Sequence, residues 1–71
     1  MKEYLVIYER ALHNWSAFSP DVPGCIATGD TRDEVERNFQ EALAFHPEGL
    51  RLEGMPIPDP VTEAGHVAIA A

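Results

Sequence analysis

The chain has 71 residues, 45% of them apolar, and sets five basic side chains against twelve carboxylates for a net charge of −7. That length allows one domain, taken as residues 1–71, and a core so small that burial barely offsets the roughly 100 kcal/mol of conformational entropy lost on ordering. A lone cysteine, Cys25, excludes an internal disulfide and a cysteine-based zinc site, so a second copy of the chain is the expected source of extra burial. The acidity argues against direct nucleic-acid binding, because Lys2, Arg10, Arg32, Arg37 and Arg51 are scattered and each has an acid within three positions. No apolar run approaches the ~20 residues that span a bilayer, and Met1-Lys2-Glu3-Tyr4 does not begin a signal peptide. A cytoplasmic protein with no membrane contact is the expectation.

Residues 4–9 read as a strand, β-branched and aromatic, with Tyr4, Val6 and Tyr8 on one face and Leu5 and Ile7 on the other. Two apolar faces predict cover on both sides. Asn14 suits a turn, after which Trp15 to Phe18 forms a second strand paired as a hairpin. Pro20-Asp21-Val22-Pro23-Gly24 is a rigid loop turning sharply at Gly24, since neither proline can donate to a ladder. Cys25 to Thr28 is a third short strand, ended by Gly29.

Thr31 and Glu34 form a capping box, and Asp33 and Glu34 place negative charge at the helix N-terminus. Val35, Phe39, Ala42, Leu43 and His46 follow at helical spacing, with Glu36, Arg37, Gln40 and Glu41 on the solvent side. Pro47 predicts an end or a kink, with Gly49 as terminator if one more turn survives. The prolines of Gly54-Met55-Pro56-Ile57-Pro58-Asp59-Pro60 impose an extended surface segment, and His66 to Ala70 reads as a last strand returning to the sheet. The order is β-β-β-α-β: an α+β fold, a small antiparallel sheet with one helix packed on one face. The other face calls for a partner subunit.

Few residues carry recognisable chemistry. His13, His46 and His66 share no ligand spacing, and His13 and His66 are expected to face solvent. Cys25 lacks a neighbouring base and reads as a small buried hydrophobe; Ser16 and Ser19 lack a nucleophile-elbow pattern. If strand ends converge, Glu9, Asp21 and Asp30 could hold a divalent metal and activate water for phosphodiester cleavage. Each also has an ordinary role, as strand end, turn residue and helix-start anion. No cofactor, metal or catalytic residue is therefore assigned. Trp15 is a candidate interface anchor, or equally a core residue.

Phe18-Ser19-Pro20-Asp21-Val22-Pro23-Gly24-Cys25, followed by Ile26-Ala27-Thr28-Gly29-Asp30-Thr31, resembles the aromatic-x-PDLPG-C segment of the HicB-like antitoxin family. The likeness continues through Asp33-Glu34-Val35, Asn38-Phe39-Gln40-Glu41-Ala42, His46, Glu48-Gly49-Leu50 and Gly54-Met55-Pro56-Ile57-Pro58. It implies a partial RNase H-like domain that forms homodimers or homotetramers and is not an enzyme. It also implies a partner: a small basic HicA-type toxin, of double-stranded-RNA-binding fold, that cleaves mRNA with a histidine. Direct protein–protein contact would neutralise that toxin. Glu9, Trp15, Asp21 and Asp30 are the expected partner-facing residues. Many relatives carry a C-terminal DNA-binding segment, which the sequence to Ala71 does not show, so operator binding is not expected. A vestigial or active metal-dependent nuclease built on Glu9, Asp21 and Asp30, or an oligomeric module without a toxin, are the alternatives. At Pro47, relatives usually continue the helix with an apolar residue.

Overall fold

Strand chemistry, turn chemistry and a helix cap appear in that order along the chain, and the fold follows them. The structure, a computed structural model, describes residues 2–52, 54 and 58–71, with side chains described for 2–45, 54 and 58–71. Strands β1 (Ile7–Arg10), β2 (Trp15–Phe18) and β3 (Ile26–Gly29) form an antiparallel sheet in the order β1-β2-β3, followed by helix α1 (Arg32–Leu52). A tight turn closes the first hairpin, with the Ala11 N–H donating to the Asn14 carbonyl at 2.8 Å. Gly24 takes φ +85° in the proline loop, the left-handed conformation a side chain disfavours.

The register sorts the side chains. Tyr8, Ala17 and Ala27 stand in one row, as Tyr8 pairs with Ala17 and Ala17 with Ala27. That row faces α1, whose Val35 and Phe39 are fully buried; Ala17, Val22 and Cys25 complete the core. Tyr4, Val6, Tyr8, Trp15, Ala42 and Leu43 pack around it half-buried. Gly29 sets the distance between helix and sheet. A Cβ there would lie 2.6 Å from the Val35 backbone nitrogen, so only glycine lets the first turn of α1 approach β3 this closely.

The helix start follows its sequence. Thr31 Oγ1 accepts from the Glu34 N–H at 3.1 Å, and the Glu34 carboxylate accepts from the Asp30 N–H at 3.3 Å. The reciprocal bond therefore falls one residue earlier than in the standard capping box. Arg37, Gln40 and Glu41 face solvent as expected; Glu36 is half-buried and lies 3.4 Å from Arg32, which stacks on the Tyr8 ring.

Four expectations need correction. β1 begins at Ile7, not Tyr4, because its partner β2 ends at Phe18, opposite Ile7, leaving residues 4–6 nothing to pair with in that strand. β3 is displaced one residue, to Ile26–Gly29. The helix runs through Pro47 to Leu52: the missing N–H removes one bond, to the Leu43 carbonyl, at about 3 kcal/mol, and the following residues still propagate the helix. Gly54 (φ +74°), rather than Gly49, takes the left-handed conformation past its end. Finally, residues 66–70 form no strand; all of 61–71 is exposed. The three strands and the helix of the α+β architecture stand, and the returning strand is absent from this single chain. The expected placement of His46 on the apolar stripe, and of an extended run over 55–57, lies outside the described residues.

Candidate functional site

Each candidate residue sits at an end or on an open face of the small sheet. At the hairpin end, Trp15 begins β2 and pairs with Gly29, so the residue after Gly29, Asp30, comes beside it. Together with Arg10 and His13 they line an open cleft of about 130 Å³. Trp15 is half-buried, packed against the core and among the residues lining the cleft, while the Asp30 side chain is exposed. The cleft surface is predominantly polar, with Arg10, His13 and Asp30 around Trp15, a composition suited to a polar protein contact.

Glu9 lies elsewhere. It pairs with Ser16, and Ser16 with Thr28, on the face away from α1. That face carries the row Ile7, Phe18 and Ile26, in direct register across all three strands, and Ile26 is 65% exposed. Among the described residues, the cover expected on both sides of strand one is complete on the helix side, while Leu5, Ile7 and Phe18 on the other face are half-buried.

Asp21 occupies the far end of the sheet and is already engaged. Its carboxylate accepts from the Val61 N–H at 3.1 Å, the Thr62 N–H at 3.0 Å and the Thr62 hydroxyl at 2.6 Å. Those bonds, the hydroxyl first, hold its pKa below the ordinary carboxylate value. Two further contacts anchor the same strap: the Tyr4 hydroxyl donates to the Pro58 carbonyl at 2.6 Å, and the Lys2 ammonium lies 2.8 Å from Asp59, a hydrogen bond that raises the Lys2 pKa. Sequence reasoning missed this clasp. Its partners are 40 to 57 residues apart, and no local pattern connects them.

The structure therefore brings Trp15 and Asp30 together and leaves Glu9 and Asp21 apart from them. Among the described residues no three of His, Cys, Asp and Glu stand close enough to share a metal ion, so the Glu9, Asp21 and Asp30 cluster does not form. Cys25 is buried, which pushes its thiol pKa up and away from nucleophilic use. His13 and His66 are exposed, and no described helix is long and apolar enough to cross a membrane.

The family model for the HicB-like antitoxin of bacterial toxin-antitoxin systems matches residues 4–68. A UPF0150 protein of Synechocystis sp. is 38% identical over 56 residues, covering 78% of this chain and 71% of its own length. An uncharacterised 14.9 kDa protein from the rep-hol intergenic region of Haemophilus phage HP1 is 36% identical over 55 residues. The present chain spans only 41% of that phage protein. Among solved structures, a chain of a HicA3 and HicB3 toxin-antitoxin complex superposes with a TM-score of 0.71 at 32% identity, over 84% of this chain and 70% of that one. The family match takes in the three strands, the helix and the Asp21 clasp alike, and the chain belongs to the HicB-like antitoxin family.

Proposed function

We propose that this protein is the antitoxin of a toxin-antitoxin pair, binding a small basic HicA-type mRNA-cleaving toxin and blocking it by direct contact. The observation that carries the reading is the likeness, in sequence and fold together, to a chain solved in a HicA3 and HicB3 complex. The physical chemistry supports it. A net charge of −7 suits a basic protein surface shaped for RNA, speeding encounter and orienting the partners. Trp15 supplies an anchor at the hairpin end, and Asp30 and Glu9 supply anionic groups that no described salt bridge occupies. Asp21, its oxygens taken by Val61 and Thr62, serves the chain's own strap rather than the toxin. The protein acts without catalysis, in the cytoplasm, as a homodimer or homotetramer whose second copy covers the Ile7, Phe18 and Ile26 row.

Co-expression with a HicA-type toxin, taken from a neighbouring short open reading frame if one encodes a basic protein, tests the reading. Growth rescue and co-purification are expected, with rescue weakened by Asp30→Lys and by Trp15→Ala, the latter costing affinity by about tenfold or more. A toxin that stays active and elutes alone beside abundant folded wild-type protein contradicts the reading.

A further inference from the structure

Two stretches of strand-forming sequence have no strand partner among the described residues. Residues 4–6 continue β1 backwards past the end of β2, and no described backbone group bonds them. Residues 66–70 alternate Val67 and Ile69 with small residues, yet Val67 is 91% and Ile69 81% exposed, and their backbone joins no ladder. An extended, exposed, β-branched segment with unpaired backbone groups is a template for strand addition.

The clasp determines where that segment can go. Pro58 and Asp59 are held at the foot of β1 by Tyr4 and Lys2, and Val61 and Thr62 at the loop between β2 and β3 by Asp21. The strap therefore runs from the foot of β1 to the loop between β2 and β3, and residues 63–71, beyond the last anchor, are exposed throughout. The molecule is correspondingly elongated: its radius of gyration is 14.1 Å with a longest extent of 48 Å. A compact chain of this length would have a radius of about 11 Å. The two sheet edges also differ. On β3 the Thr28 carbonyl accepts from the Asn38 side chain at 2.8 Å, so the helix occupies part of that edge, whereas the outer side of β1 is bare among the described residues.

From this we infer that residues 66–70 add as a strand to the outer edge of β1, over Tyr4–Val6, in a second copy of the chain. The exchange is reciprocal: one two-fold axis satisfies both unpaired segments of both copies, a closed arrangement that leaves no tail over. It rests on the self-association proposed above and adds an edge contact to the covered face. Asp21 is the positioning residue, rooting the tail so that it points to the partner rather than back to its own sheet.

Hydrogen exchange on the full chain across a concentration series, read beside sedimentation, tests the inference without a variant. The expected result is a dimer in which the amides of Tyr4–Val6 and Val67–Ala70 gain protection together, about 100-fold or more, and lose it on dilution. The double substitution Val67→Asp and Ile69→Asp should yield a monomer with unchanged helical circular dichroism. A dimer whose tail amides exchange as unstructured chain, or which survives the double substitution, overturns strand exchange and leaves self-association standing. Tail protection independent of concentration overturns it as well, since the strand would then lie on its own sheet. A monomer at several hundred micromolar overturns both, while leaving the toxin-binding test unaffected.

Discussion

The body of the molecule and its C-terminal strap are held by different forces. In the body, Val35 and Phe39 press onto Ala17, Val22 and Cys25, and burial of apolar surface does the stabilising. The strap, residues 58–62, buries little: it is fastened by one carboxylate, one phenol and one exposed ion pair. Apolar packing resists pH and salt but demands close fit. A polar clasp demands little fit and responds to protonation. The same small chain thus carries a packed body and an appendage whose fastening depends on polar contacts alone.

Substitutions should separate the two regions, and the largest effects belong to the body. Phe39→Ala removes the largest fully buried side chain among the described residues and should cost about 3–5 kcal/mol, enough to unfold so small a protein in thermal melts. Gly29→Ala puts a methyl against the Val35 backbone and should cost about 1–3 kcal/mol, lowering the denaturant midpoint. Thr31→Ala removes the cap and should cost about 1 kcal/mol by the same measurement. Effects in the strap should be local. Asp21→Ala should leave the melting midpoint nearly unchanged while exposing residues 58–65 to proteases.

Acid should act on the strap in the same way. Because folding lowers the Asp21 pKa, its contribution is present in full above about pH 4 and is lost as pH falls through the depressed folded value. The Thr62 amide resonance should report release over that range, with the core resonances unmoved until the body itself unfolds.

The same division marks what could be read in the sequence. Features of the body were legible because their causes are local: the spacing of Val35 and Phe39, the Thr31 and Glu34 pair, the proline loop turning at Gly24. The start of β1 was misplaced because Tyr4-Leu5-Val6 has full strand propensity and lacks only a neighbour, which composition does not reveal. Pro47 misled in the opposite sense, since one missing bond weakens a helix without ending it. Of the candidate site, Trp15 and Asp30 were identified as separate residues, and the register that brings them to one cleft emerged only from pairing. Asp21 reads locally as a turn residue of the proline loop, while its partners lie about 40 residues downstream.

The antitoxin reading is tested most directly by titrating the purified protein into a HicA-type toxin during cleavage of an RNA substrate. Cleavage should fall linearly to zero at a fixed stoichiometry, with the association rate dropping steeply as salt is raised. Undiminished cleavage at a several-fold excess of folded protein would contradict the account.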